Sequence, residues 1–151
     1  MSNLTKRTKL IRLKVDGTNY TGAAGTSDLT SEAVDTAGFE SARFILGVGA
    51  ITSGAVTSFK VTQCDTSGGS YADLEGTSQT IADDDDNQCL SIEIVKPRER
   101  YLKTVLDRGT QNAVADFLIV ELFEPRVLPT VNDSATVIGS EVHASPAEGT
   151  A

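Results

Sequence analysis

The chain lacks most of the features that mark secreted, membrane-bound or metal-stabilised proteins. Among its 151 residues there is no tryptophan, and there are only two cysteines and one histidine. No apolar run approaches the roughly 20 residues that span a bilayer. The basic N-terminus contains no apolar stretch followed by a cleavage site. We therefore expect no secretory signal, and synthesis in a cytosol.

The two cysteines, Cys64 and Cys89, are far apart in the sequence. A chain of this length can bury a core without a disulfide, so we expect isolated free thiols. Together with His143 they do not complete the four ligands of a zinc site. We expect neither a metal nor a cofactor.

Motifs of catalysis and nucleotide binding are also absent: the chain contains no GxSxG, HExxH, GxxxxGK[ST] or GxGxxG. The glycines of GVGAITSG (47–54) lie between two predicted strands rather than before a helix, which argues against a phosphate-binding loop. His143 lies in a polar tail, where nothing fixes it beside a nucleophile. The sequence therefore predicts a protein that is not an enzyme.

Four consecutive aspartates, Asp83–Asp86, form the most acidic stretch of the chain. An EF-hand calcium loop needs glycine at its sixth position and glutamate at its twelfth, but counting from Asp83 these positions hold glutamine and isoleucine. A cation could bind only if Asp73 or Glu75 approached across the neighbouring loop. We interpret the run as a solvated hairpin connection whose charge discourages strand pairing between molecules.

What the chain does contain is period-two alternation of apolar and polar residues, broken by segments rich in Gly, Ser, Thr and Asp. The stretch SARFILGVG, for example, directs Ala42, Phe44, Leu46 and Val48 to one face. About eight strands separated by turns predict an all-β protein, an antiparallel β-sandwich of jelly-roll-like form. The clearest predicted strands cover residues 9–15, 32–36, 41–49, 56–64, 88–96, 101–107 and 114–123.

The charge is distributed unevenly. Residues 1–15 carry five basic side chains and no acidic one, whereas the rest of the chain carries 8 basic and 21 acidic ones, which leaves a net charge of −8. A basic segment on an acidic body is typical of docking to an acidic surface. A second basic cluster, KPRERYLK (96–103), is interpreted as a bend whose arginines pair with the acidic body or with a partner's carboxylates, because the acidic pI of about 4.5 argues against a DNA-binding body.

The alternation fails after Phe123, where Pro, Ser, Ala and Gly become frequent. We therefore expect a basic N-terminal arm (1–8), a sandwich body (9–124) and an extended C-terminal arm (125–151) that cannot build a core of its own. The stretch ATVIGSEV (135–142) could add a strand to an exposed sheet edge.

Several strings of the chain are distinctive: GAITSGAVTSFKVTQ, ADLEGTSQTIADDDDNQ, VKPRERYLKTVLDRGTQNAVADF and the ending SEVHASPAEGTA. They resemble a group of small proteins encoded by tailed bacteriophages near their capsid genes, generally taken to be head decoration (cement) proteins. The resemblance covers most of residues 38–151. It implies a virion protein on the capsid exterior that clamps adjacent major capsid subunits, often as a homotrimer at local three-fold positions.

No motif of that group marks its interface residues, so the expected contacts come from the arms of this chain. We expect the partners to be the major capsid protein and further copies of this chain, and we expect no binding to nucleic acid or membrane. The contacts should involve two sets of residues. The N-terminal set is Lys6, Arg7 and Lys9, and the C-terminal set is Arg126, Val127, Leu128, Val131, Val137 and Ile138.

An alternative function is a tail- or fibre-associated sandwich that binds host surface glycans. Such modules usually present aromatic platforms to sugars, whereas this chain has 3 Tyr, 5 Phe and no Trp.

Overall fold

A computed structural model describes residues 3–150 and shows an all-β protein. Apart from one turn of 3-10 helix at Leu4–Lys6, the regular elements of this part of the chain are strands, and no helix in it is long and apolar enough to cross a membrane. The strands are β1 (Lys9–Arg12), β2 (Gly22–Gly25), β3 (Leu29–Thr30), β4 (Val34–Asp35), β5 (Phe39–Ile51), β6 (Thr57–Cys64), β7 (Ala72–Asp73), β8 (Gln79–Ile81), β9 (Cys89–Val95), β10 (Tyr101–Arg108) and β11 (Ala113–Pro125).

The strands form two antiparallel sheets. The five-stranded sheet has the order β1-β11-β5-β9, and β2 also pairs with β11. The six-stranded sheet has the order β3-β10-β6-β7, with β4 also on β10 and β8 also on β6. A single cluster of buried apolar residues contains side chains from both sheets, so the sheets pack face to face. The predicted all-β antiparallel sandwich is confirmed.

Alternation along the long strands builds this core. The inward residues predicted for β5 are all at most 2% exposed, and Phe44 is completely buried. Phe59 of β6 and Leu102 of β10 face them from the other sheet, at 1% and 0% exposure. Burying a side chain of this size contributes roughly 1.5–3 kcal/mol. Strand β11 lies between β1 and β5.

The structure contains more strands than the sequence predicted, because two of the segments rich in Gly, Ser, Thr and Asp, 16–31 and 65–76, include short strands. Strand β2 lies in the first segment and pairs with β11. Gly22 makes this approach possible, since a Cβ at this position would overlap Leu29 and come within 3.1 Å of the Cβ of Ala115. Strands β3 and β7 are two residues long, too short for alternation to reveal.

The hairpin interpretation of Asp83–Asp86 is wrong. Strand β8 belongs to the six-stranded sheet and β9 to the five-stranded sheet, so the aspartates lie on a crossover between sheets. The Oδ1 atom of Asp86 accepts a 2.6 Å hydrogen bond from the backbone N–H of Ile51, and Oδ2 of Asp83 accepts one of the same length from Gly54. These carboxylates fasten the crossover to the segment that follows β5. Among residues 3–150 no group of three or more potential metal-ligating side chains occurs.

Candidate docking surface at the basic end of the sandwich

Strand register brings three separate parts of the chain to one end of the sandwich. At this end β5 begins opposite the end of β11, with Phe39 paired to Pro125, and β9 ends with Val95 paired to Ser41. Strand β10 begins here as well, because Tyr101 pairs with Asp35. We call this the basic end. It encloses a hollow of about 320 Å³ lined by residues 36–40, 96–100 and Arg126.

Four basic side chains from two of these parts line the hollow, and two of them are paired within the molecule. Arg100 forms a two-pronged ion pair with Asp35, from Nε to Oδ1 at 2.8 Å and from Nη2 to Oδ2 at 2.7 Å. The hydrogen bond from Arg100 holds the pKa of Asp35 below its usual value, against the opposing effect of partial burial. Arg126 donates from Nε to Oε1 of Glu40 at 2.8 Å.

The other two basic side chains, Lys96 and Arg98, are exposed. Neither is in an ion pair with any acidic side chain of the described chain. The backbone of Lys96 is held at φ +50 while its N–H donates to the carbonyl oxygen of Glu40 at 2.7 Å. A positive φ is uncommon for a residue with a long side chain. The bend therefore presents two cations that remain available to an external carboxylate.

The N-terminal basic residues lie beside the same end. Lys9 is opposite Leu122 near the end of β11, and its charge contributes, as one of the smaller causes, to the lowered pKa of Asp35. Lys6 and Arg7 precede it and are exposed. Seven of the 13 basic residues of the chain are thus at or beside the basic end. These are Lys6, Arg7, Lys9, Lys96, Arg98, Arg100 and Arg126.

The four consecutive aspartates lie at the opposite end of the sandwich. Their partners Ile51 and Gly54 are at and beyond the end of β5, whereas the basic end is where β5 begins. The protein therefore combines a net charge of −8 with a concentration of basic groups at one end. Such a distribution orients a molecule toward an acidic surface before contact.

The C-terminal segment starts at the basic end and returns along the free edge of β1. Residues 126–129 pass the start of β1, and residues 130–137, which we call the C-terminal strap, follow β1 without forming a regular strand. Side chains of this segment remain exposed: 77% for Val127, 52% for Leu128 and 77% for Val131.

The structure brings most of the predicted contact residues into one continuous region. Lys6, Val131 and Val137 line a common hollow of about 270 Å³ beside the strap, and Ile138 follows it fully exposed. Residues 135–142 add no strand to a sheet edge; instead residues 130–136 contact the edge of β1 through irregular hydrogen bonds. Sequence reasoning missed the joining of the 96–100 bend to the arms, because only strand register brings these segments together.

The chemically reactive side chains are not gathered. Cys64 is buried, Cys89 is exposed, and both are free. The His143 ring lies 2.8 Å from Oε2 of Glu141, with 62% of the His143 side chain and 81% of the Glu141 side chain exposed. This pair lies on the surface of the tail.

Comparisons with known proteins are sparse. No protein-family model and no curated protein matches the chain. Among solved structures, the fold is similar to that of the N-terminal endo-1,4-beta-D-xylanase 10B of Clostridium thermocellum, in its CBM22-1–GH10 modules complexed with xylohexaose, at 13% identity and a TM-score of 0.42. The match covers 83% of this chain and 26% of the xylanase chain, so this protein spans about a quarter of that length. A structural similarity this distant gives no information about function.

Proposed function

We propose that this protein is a bacteriophage head decoration protein, a non-enzymatic subunit that binds the outer surface of the assembled capsid and stabilises the contacts between major capsid subunits. In this proposal it acts as a homotrimer, and the basic end together with the C-terminal segment forms the surface that meets the shell. The observation that carries the proposal is the gathering of Lys96, Arg98, Arg100 and Arg126 around one hollow of an otherwise acidic sandwich, next to the exposed apolar side chains that follow Arg126.

The charge distribution supports this role in two ways. The excess of acidic groups on the body keeps free subunits apart in solution, whereas the basic end attracts carboxylates on a partner. Lys96 and Arg98 have no acidic partner in the described chain, so binding an external carboxylate does not require an internal ion pair to break. Charge-assisted hydrogen bonds of this kind are stronger than neutral ones.

The C-terminal segment supplies the apolar part of the contact. Val131 and Ile138 are more than half exposed, so a capsid surface that covers them gains apolar burial at roughly 25 cal/mol per Å². The strap is already fastened to β1, so little of the ordering entropy of roughly 1–2 kcal/mol per residue remains to be lost there.

The proposal is tested by adding purified protein to undecorated expanded heads of the phage that encodes it and measuring occupancy by sedimentation and cryo-electron microscopy. Replacing Lys96 and Arg98 with glutamate should reduce occupancy strongly at moderate ionic strength. The matched control replaces Arg12 and Lys14 with glutamate, an Arg/Lys pair of the same spacing that makes the same charge change at and beyond the far end of β1. Equal occupancy for the two variants would contradict the proposed surface.

Two further measurements address the arm and the location. Deleting residues 126–151 should reduce occupancy while the body remains folded by circular dichroism. Immunolabelling of virions should mark the head, and labelling confined to the tail or fibres would refute the decoration role.

A further inference from the structure

The C-terminal strap satisfies the backbone groups that β1 directs away from its sheet. The N–H of Leu10 donates to Oδ1 of Asn132 at 2.7 Å, and the N–H of Arg12 donates to Oγ1 of Thr136 at 3.2 Å. The strap in turn donates to the carbonyl oxygens of β1 and of the residues before it. These bonds run from Thr130 N to Lys6 O at 3.0 Å, from Thr130 Oγ1 to Thr8 O at 2.6 Å, and from Asp133 N to Leu10 O at 3.4 Å.

This contact differs from a regular ladder, since three of its five hydrogen bonds use side-chain oxygens of the strap. An exposed strand edge readily accepts an extended segment from another molecule, and a covering segment prevents this. The edge of β1 is thus a receptor for an extended polar segment, and the chain's own strap shows which segment fits.

We propose that in the assembled protein the strap of one copy lies on the β1 edge of a neighbouring copy. An exchanged strap makes the same five hydrogen bonds as the closed one, so the exchange loses no contact. The inference rests on the self-association included in the proposed function, and it identifies the segment that links the subunits.

The connection before the strap favours the exchange. Residues 126–129 reverse the chain direction over the start of β1, and their contacts with the body include the Arg126 N–H to the Gly38 carbonyl oxygen at 2.9 Å and the Arg126–Glu40 ion pair. In the closed arrangement Val127 and Leu128 stay exposed. A connection that extends to a neighbour places these side chains between two bodies, where they become buried. This gain is absent from the closed monomer and drives the exchange.

Site-specific cross-linking of the full chain tests the proposal. Lys6→Cys and Val131→Cys are introduced together with Cys89→Ser, which removes the exposed native thiol. Lys6 and Val131 line the same hollow, and none of the five strap hydrogen bonds uses either side chain. A short bis-maleimide then joins the strap to whichever copy carries it. The control pairs Lys6→Cys with Ser145→Cys, which lies outside the strap and reports random collisions.

Strap exchange predicts that most of the cross-linked product, on denaturing gels, joins different chains, several-fold more than in the control. Light scattering gives the oligomeric state of the same sample. An oligomer with links only inside single chains overturns the exchange while the homotrimer stands. A monomer with internal links overturns both the exchange and the homotrimer, and capsid binding is judged separately by the occupancy assay.

Discussion

The guanidinium of Arg108, at the end of β10, donates from Nη1 to the carbonyl oxygen of Ala113, at the start of β11, over 2.8 Å. The two residues belong to different sheets, so this bond ties the sandwich together at the end opposite the basic cluster. Arg108 is 6% exposed and also donates to the carbonyl oxygens of Ala23 and Ser27, each at 2.6 Å. Its burial lowers the pKa of the guanidinium, which stays charged and donates only to carbonyl oxygens here.

Replacing Arg108 with methionine should destabilise the protein by about 3 kcal/mol or more, because the carbonyl oxygens of Ala23 and Ala113 lose their donor inside the protein. Urea unfolding followed by circular dichroism measures the change. Arg98→Met is the matched control, since Arg98 is exposed and unpaired in the described chain, and it should stay within about 0.5 kcal/mol of the parent. Similar effects of the two substitutions would show that the Arg108 bonds do not hold the sheets.

The crossover aspartates should contribute unequally to stability. Asp86→Ala leaves the N–H of Ile51 without its acceptor and should cost about 1–3 kcal/mol. Asp84 is exposed and accepts no hydrogen bond in the described structure, so Asp84→Ala should have almost no effect. Added calcium should leave the melting temperature of the parent unchanged. Calcium-dependent stabilisation that disappears in the Asp86 variant would contradict the assignment of these side chains to backbone fastening.

Acid should abolish the contribution of Asp16. Hydrogen bonds from the Asn19 side chain, the Asn19 N–H and the Thr18 N–H lower the pKa of Asp16 from 3.8 to about 2. A carboxylate whose pKa is lowered by folding stabilises the protein above its unfolded pKa and loses this effect as the pH falls through the folded pKa. The melting temperature of the parent should therefore exceed that of Asp16→Asn at pH 5, and the gap should close between about pH 4 and pH 2. A gap independent of pH would contradict this.

The outer face of the five-stranded sheet contains a close contact that predicts a coupled pair of substitutions. The Phe117 ring lies directly over Gly47, where an added Cβ would overlap three ring atoms. Gly47→Ala should cost about 1–3 kcal/mol through this overlap. In a Phe117→Ala background the same substitution should cost much less, which a double-mutant cycle measures. Gly68→Ala serves as the control, because no other part of the chain lies within 4 Å of a Cβ there.

Alternation alone predicted the long strands, because their two faces meet such different surroundings. In β5, the inward-facing residues Phe44 and Leu46 are at most 1% exposed. Arg43, the residue before Phe44, points to the opposite face, and 43% of its side chain is exposed. The two-residue strands β3 and β7 gave no such signal, since two residues cannot show a period. They form because β10 and β6 offer them free edges, which depend on the tertiary fold.

The candidate site was only partly predictable for a related reason. Lys6 and Arg126 could be selected as members of exposed, charged arms, but their proximity to Lys96 follows from strand register. The sequence predicts a hairpin at Asp83–Asp86 because this polar run lies between two apolar-patterned stretches. The alternation of apolar and polar residues does not show that β8 and β9 belong to different sheets.

The pairing of Phe39 with Pro125 constrains how the protein is made. A nascent chain that has not yet reached residue 125 cannot complete the five-stranded sheet, because the central partner of β5 is still missing. Until then one edge of β5 has no partner, and pairings between such distant residues form slowly, on the scale of milliseconds to seconds. The five-stranded sheet is therefore expected to assemble only once β11 has been made, and until then the unpaired edge of β5 is the segment most exposed to aggregation.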